Sequence, residues 1–519
     1  MLGNKKLVAL CTSRVFDPQI HSFIEILNES LKAHGCNLWI YAINADLYWK
    51  EDADMSEATV FDILDWNRLD AVVLMDEKIK SHSVSEKIIN KAHSLSMPVV
   101  VVDGEYDDTI SISFDYAEGF EQIVRHVIED HKAQRPHIMA GFKGNKFSDE
   151  RIDVFKKVIE ENGIAFSDDM VSYGEFWVRP ARAAAEEILK REVLPDAVIC
   201  ANDIMAINVS DVFMNAGVGV PSDIIVTGFD GYDEALMSVP AITTASCKTN
   251  ELAYMTAQAV LGCFIGDDTK RYRVIPRVIK NESCGCPRCS ENSGSATKSF
   301  NAGFYRYHDD IRRQHTVSAR MQSCNSPEEL VEVLRDYYMP HVNIIIKNSC
   351  FESDRNFFLD DDDQSGFCFF YNSESNDNKI IPFDIDQSHP EFAQSAKNGY
   401  PWIFNALDYM NKTMGYICYS FQTYDITEYS KTAGISNMVS VGLGGYINMK
   451  YQHFLMSKVE EMYKIDALTG LYNRIAFHEA FKDMKNDPVM EGRPLSVIMV
   501  DLDRLKKIND TLGHDAGDR

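Results

Sequence analysis

The sequence predicts an α/β protein of several domains. Three observations carry that expectation: 519 residues exceed what one hydrophobic core organises, short apolar runs alternate with amphipathic ones from residue 6 to about 285, and the pattern changes twice after residue 300. An apolar content of 45% with 25% charged residues is ordinary for a globular chain.

The runs Leu7–Cys11, Leu38–Ile43, Ala71–Met75, Val99–Val102, His137–Gly141, Ala197–Cys200 and Ile224–Gly228 read as strands. Between them Phe23–Leu31, Ile152–Glu160 and Ala181–Leu189 read as amphipathic helices. Continuous apolar strands alternating with helices are the signature of parallel βαβ units, buried on both faces. Such sheets bind ligands beyond the carboxyl ends of their strands, which draws attention to Asn202-Asp203 and to Asp230.

No run approaches the roughly 18 apolar residues of a membrane span, and Leu7–Cys11 is too short for a secretory signal. The chain is therefore expected to be cytoplasmic, with no membrane partner. Lys and Arg total 52 against 78 Asp and Glu, a net charge of −26, which repels a phosphate backbone and argues against a nucleic-acid partner. Of twelve cysteines, Cys284, Cys286 and Cys289 lie close together. They read either as ligands of zinc or an iron–sulfur cluster, one short of the usual four, or as reduced thiols in a turn.

Cys200-Ala-Asn202-Asp203-Ile-Met-Ala206, Val220-Pro221 and Val226-Thr-Gly228-Phe229-Asp230 resemble the effector-binding core of the lactose-repressor family, itself similar to periplasmic sugar-binding proteins. Upstream, Ser148-Asp-Glu-Arg151-Ile-Asp-Val-Phe155 resembles that family's helix with a ligand-contacting arginine; Val154 stands where glycine is frequent. The resemblance implies a two-lobed domain over residues 1–285, with Arg151, Asn202, Asp230 and Phe176 lining a cleft for a small polar effector such as a sugar. Guanidinium, amide and carboxylate suit hydroxyl groups. Each residue also has an ordinary reading: Asn202 as a helix cap, Arg151 as a surface residue, Phe176 as core. The family's DNA-reading helix-turn-helix is not found before the first strand.

Residues 286–302, Ser- and Gly-rich, read as a linker. Helices at His308–Met321 and from Ser326 to Tyr338 follow, then strands at Val342–Ile346, Phe367–Tyr371, Ile403–Ala406 and Met414–Phe421, and a long helix from Glu428. In layout alone, residues 303–446 resemble a GAF-type sensor domain of unassigned ligand; the acidic run Asp360–Asp363 reads as a solvated loop. Apolar positions 447, 451, 454, 455, 459 and 462 place one stripe on a signalling helix, 447–465, suited either to parallel pairing or to ordinary packing against its own domain.

Asp466-Ala-Leu-Thr469-Gly470-Leu-Tyr-Asn473-Arg474 resembles the opening motif of the GGDEF family, the diguanylate cyclases. After an expected strand, Leu495–Val500, comes Asp501-Leu-Asp503-Arg-Leu-Lys506-Lys-Ile-Asn509-Asp510-Thr-Leu-Gly513-His514-Asp515-Ala-Gly517-Asp518, which agrees with that family's second motif except at Leu505, where phenylalanine is common. A carboxylate at a strand end suits Mg²⁺ held against phosphate oxygens. The resemblance implies Mg²⁺ on Asp501 and the backbone carbonyl of Leu502, and GTP read by Asn509 and Asp518. It implies conversion of two GTP to cyclic di-GMP and pyrophosphate in a homodimer. The signature loop is not reached by Arg519, so residues 466–519 are expected to be the first part of the cyclase domain and inactive by themselves. The alternatives are a ligand-responsive signalling or transcriptional regulator whose output domain does not cyclise.

Overall fold

The structure is a computed structural model that describes residues 5–45, 47, 56–247, 249–266, 270–289, 311–337, 339–352, 354–359, 365–374, 380–383, 398–466, 468–486, 493, 496–501, 503–513 and 515. The chain forms two compact units, residues 1–348 with 364–444, and residues 349–363 with 445–519. The connector at 290–302 and the run Asp360–Asp363 lie outside the described residues.

In the first unit, strands β1 (Lys6–Ser13), β2 (Cys36–Ile43), β3 (Ala71–Met75), β4 (Val99–Val102) and β5 (Ile110–Phe114) pair in parallel. Val8 to Leu10 and Val72 to Leu74 are completely buried, each valine and leucine among them contributing about 1.5–3 kcal/mol. The helix Pro18–Ala33 begins where it must: Asp17 accepts from the amides of Gln19 and Ile20, and proline takes the first helical position.

The chain then builds a second parallel sheet from β6 (Pro136–Ala140), β7 (Val171–Tyr173), β8 (Ala197–Cys200) and β9 (Ile225–Thr227), in the order β7-β6-β8-β9. It returns through β10 (Thr244–Ser246) and β11 (Arg271–Val274), which pairs with β5, and crosses again at β12 (Arg277–Ile279), antiparallel to β10. Two parallel sheets joined by three crossings make the two lobes.

Strands β13 (Val342–Lys347), β14 (Phe367–Asn372), β15 (Ile381–Phe383), β16 (Trp402–Tyr409) and β17 (Lys412–Tyr419) pair antiparallel in the order β16-β17-β13-β14-β15. Residues 311–322, Pro327–Tyr337 and the start of Thr432–Lys464 are helical. Reading the sequence as separate domains conceals how they join. Strand β16 pairs in parallel with β2, matching Trp39 with Trp402, Ile40 with Ile403 and Tyr41 with Phe404. One sheet of eleven strands results among the described residues. The Tyr41 and Phe404 rings stack at 4.9 Å, and the fully buried Asn405 donates to the Ala42 carbonyl at 2.6 Å. Outside the sheet, Asn28 donates to Gly399 O at 2.9 Å and Ser56 to Asp408 at 2.6 Å.

The second unit contains the rest of the long helix, then helices Arg474–Asn486 and Leu505–Leu512. The opening motif is a turn. Asp466 Oδ1 accepts from the Thr469 amide and hydroxyl, both at 2.9 Å, Gly470 takes a left-handed φ of 69°, and Asn473 caps the next helix through the Ile475 amide. The expected strand Leu495–Val500 is corrected. Residues 496–500 are irregular, Leu495 lies outside the described residues, and Val497 to Val500 face solvent, Met499 at 94% exposure. An apolar strand of this kind requires partners on both sides, and none of the described residues pairs with it. No helix among the described residues is long and apolar enough to cross a membrane.

The β2–β16 join generates a prediction. Asn405→Leu leaves the Ala42 carbonyl buried without its side-chain donor, which should cost about 1–3 kcal/mol. Urea denaturation of the 519-residue chain measures it, and unchanged stability contradicts the role given to Asn405.

Candidate functional site

The four residues singled out on the first domain come from four places in the second lobe, one helix and the ends of three strands. Helix Lys146–Glu161 is capped by Asn145 and carries Arg151, which is buried. Its guanidinium lies 4.7 Å from the Phe229 ring, 5.9 Å from Phe120 and 6.0 Å from Phe176. Arg151 Nε has no hydrogen-bond partner among the described residues. A buried donor in this state is suited to an acceptor brought by a ligand. The surface reading of Arg151 does not hold.

Phe176 sits in a tight turn after β7, where Glu175 and Phe176 both take left-handed backbone, φ 52° and 62°. Consecutive non-glycine residues in that region are strained and persist only when held. Asn202 holds this one. Its Nδ2 donates to the Phe176 carbonyl at 3.3 Å, while its Oδ1 accepts from the Met205 amide at 2.9 Å and caps helix Asp203–Asn215. The cap reading of Asn202 is therefore correct, and its amide positions the ring. Gly141 is required beneath, because a Cβ there would collide with the Phe176 ring.

Asp230 ends the stretch after β9 at φ 116°, tied by its amide to Ala245 O at 3.0 Å and by its carbonyl to the Cys247 amide at 3.0 Å. The fully buried Asp203 fixes the same loop, accepting from Gly231 N at 2.7 Å and Tyr232 N at 2.8 Å. Burial pushes the Asp230 carboxyl up to about 6, with Arg151 and Lys78 pulling it back. Arg151, Phe176 and Asn202 are thus linked by contact, and Asp230 by charge.

The first lobe contributes what the motifs did not reveal. Asp76, Glu77 and Lys78 follow β3, Asp103 follows β4 at φ 53°, and Tyr116 follows β5. These are strand ends, so the rule that selected Asn202 and Asp230 also applied to them. A cleft of about 690 Å³ is lined by Asp76, Glu77, Asp103, Tyr116, Phe147 and Glu150, among others. Arg151, Phe176, Asn202 and Asp230 do not line it. Tyr116 on its wall is 6.3 Å from Phe229, the ring against which Arg151 packs. Carboxylates on its wall, which also include Glu105 and Asp115, outnumber Lys146 and Arg273. Burial, then Asp103 and Asp76, raise Glu77 to about 7. Such a wall accepts hydrogen bonds and repels anions.

In the second unit Asp501 is exposed and Asn509 is half-buried, with Oδ1 lacking a partner among the described residues. Leu502 and Asp518 lie outside the described residues. The structure does not place Asp501 at a strand end, since the described residues 496–500 are irregular.

Comparison with known proteins defines the class. Residues 124–284 match the periplasmic binding protein-like domain, and residues 463–519 match the diguanylate cyclase, GGDEF domain. The chain carries both. It is 26% identical over 210 residues to the probable HTH-type transcriptional repressor ExuR of Bacillus subtilis, covering 40% of this chain and 62% of that protein. It is 22% identical over 297 residues to the HTH-type transcriptional regulator MalR of Clostridium butyricum, covering 54% and 83%. Over 63 residues it is 44% identical to the cyclic di-GMP phosphodiesterase NbdA of Pseudomonas aeruginosa, covering 12% of this chain and 8% of that one. Among solved structures, a transcriptional regulator CelR–cellobiose complex matches 54% of this chain and 85% of its own at 20% identity and TM-score 0.44. A lac repressor dimer bound to operator and the anti-inducer ONPF matches 54% and 95% at 17% identity and TM-score 0.44.

The raised carboxyl of Glu77 gives a signed prediction. A folded carboxyl with raised pKa keeps a proton that the unfolded chain has released, so stability falls as pH rises from the ordinary 4.5 through about 7. Glu77→Gln should therefore raise the melting temperature at about pH 8 and leave it nearly unchanged at about pH 4.5. Equal shifts at both pH values contradict the cleft electrostatics.

Proposed function

We propose that the chain serves a diguanylate cyclase regulated by a small polar ligand, such as a sugar, with the ligand sensed by the first domain and residues 463–519 belonging to the output. The observation that carries this reading is the presence of both matched domains in one chain. Arg151 and Asp230 bind the ligand as donor and acceptor, Phe176 stacks against its apolar face, and Asn202 positions Phe176. An acid-rich entrance favours a neutral, hydroxyl-bearing ligand over a phosphorylated one. Residues 303–446 act as a GAF-like relay between sensor and output.

Output requires two cyclase domains, because each GTP offers its 3′-hydroxyl to the α-phosphorus of the other and releases pyrophosphate. A homodimer would bring them together through the helix of 447–465. Leu455, Val459 and Met462 recur at one stripe of that helix and are exposed at 43%, 64% and 76%, as a pairing seam requires. Asp501, a hard oxygen donor, would hold Mg²⁺ with the Leu502 carbonyl, and the ion supplies positive charge beside the triphosphate. Asn509 and Asp518 would read the guanine edge; the unpaired Asn509 Oδ1 is an acceptor for its N–H groups. A second reading, a ligand-responsive regulator whose output domain does not cyclise, is favoured by the regulators among the relatives and by the unformed strand before Asp501.

Two experiments test the proposal. A thermal-shift screen of neutral sugars and nucleosides on the 519-residue chain should give a hit, with Arg151→Ala and Asp230→Ala each costing about 1–3 kcal/mol of affinity. A hit indifferent to both variants removes Arg151 and Asp230 from the ligand site. A chain that includes a Gly-Gly-Asp/Glu-Glu-Phe loop should convert GTP to cyclic di-GMP with Mg²⁺, and Asp501→Ala should abolish turnover. Asn509→Ala should mainly weaken GTP binding. Turnover that survives Asp501→Ala contradicts the site, and an intact loop without turnover favours the second reading.

A further inference from the structure

Away from the cleft, two histidines and two cysteines converge where the second lobe begins and where it ends. His126 Nε2 lies 3.2 Å from His131 Nε2, 3.4 Å from Cys284 Sγ and 3.7 Å from Cys286 Sγ, and His131 Nε2 lies 3.6 Å from Cys286 Sγ. All four atoms fall within 4.8 Å of one another. A tetrahedron with Zn–N of about 2.0–2.1 Å and Zn–S of about 2.3 Å has edges of about 3.3 Å between nitrogens and about 3.6 Å between nitrogen and sulfur. The spacings match those edges. We propose that His126, His131, Cys284 and Cys286 form a structural zinc site that fastens the two ends of the second lobe together.

The local backbone is built for this arrangement. Residues His126–Asp130 form a π-turn, closed by the His131 amide on the His126 carbonyl at 3.2 Å. In an α-helix the fifth residue on would point about 140° away around the axis. The wider turn brings His131 back beside His126, ring centroids 4.6 Å apart. On the other side, the short turn Glu282–Cys284 ends at Gly285, φ 92°, and the reversal returns Cys286 towards Cys284. Cys284 is buried and receives the Thr243 hydroxyl at 3.0 Å; its neighbour Ser283 donates to the Val226 carbonyl at 2.5 Å.

The surroundings set the ligating tautomer. His126 Nδ1 is 2.7 Å from Asp130 Oδ2, and Lys280 holds that carboxylate at 3.0 Å. A carboxylate on Nδ1 places the proton there and leaves the Nε2 lone pair facing the cluster, the outer partner that zinc-bound histidines ordinarily have. Two imidazoles and two thiolates are a zinc donor set, and four protein ligands leave no open position for catalysis. Cys289, the third thiol of the sequence cluster, is not a member; its amide is bound by Asn281 Oδ1 at 2.8 Å. The missing ligands are histidines about 155 residues earlier in the chain. A link over that separation closes a long loop and restrains the exit of the first domain.

The 519-residue chain, purified without chelator or polyhistidine tag, should carry about one zinc by elemental mass spectrometry, as should Cys289→Ser, whereas Cys286→Ser and His131→Gln should fall to roughly a tenth. Stripped of metal and titrated with cobalt(II) alone, the unmodified chain should show the intense visible bands and thiolate charge transfer of a tetrahedral site. This second readout is independent of whether the variants fold. Zinc retained in both ligand variants, zinc lost in Cys289→Ser, or an unmodified chain that takes up neither zinc nor cobalt would overturn the proposal.

Discussion

The architecture of the first unit depends on how one strand edge is filled. Strand β2 borders the parallel sheet of the first lobe, and β16 borders the antiparallel sheet built from residues 342–419. Left alone, each edge would present unpaired amides and carbonyls flanked by large apolar side chains, an arrangement prone to association. Pairing Trp39–Tyr41 with Trp402–Phe404 satisfies both edges at once. The join is reinforced by Asn405 on Ala42 inside the sheet and by Ser56 on Asp408 outside it. It makes the first lobe and the second sheet one body. The sheet is tied in turn to the helix that starts at Thr432, since Ser436 and Asn405 are buried neighbours at 3.5 Å.

The cleft follows the same economy. Asp76, Glu77, Asp103 and Tyr116 on its wall sit at strand ends, where backbone amides and carbonyls run out and side chains take over. Asp203 and Asn202 show how much of such a site is scaffolding. Both are prominent in the motif, and both spend their hydrogen bonds on loops and caps. Arg151 is enclosed by rings with a buried donor atom left over, and Asp203 Oδ1 is likewise without a partner among the described residues. The opening motif of the last segment belongs with the scaffolding, for Asp466, Gly470 and Asn473 are each used to turn the chain into the next helix.

What the sequence made legible divides along physical lines. Ala71–Met75, Val99–Val102 and Ala197–Cys200 have the bounds read from their apolar runs, because burial on both faces writes itself into composition. Ile110–Phe114, Arg271–Val274 and Arg277–Ile279 passed unnoticed, being short, interrupted by serine or arginine, and partly exposed. The β2–β16 register has no local signature, since its partners are some 360 residues apart. A separation of about 155 residues concealed His126 and His131 from the cysteine cluster. Val497–Val500 failed in the opposite direction, with apolar composition but no partner strand among the described residues.

Native-state hydrogen exchange tests the join most directly. If β2 and β16 form one continuous sheet, the amides of Ile40, Tyr41, Ile403 and Phe404 should exchange at one slow rate, opening only with the first lobe as a unit. Rapid exchange at Ile403 and Phe404 while β2 and β1 remain protected would show two independently opening sheets, and would contradict the account.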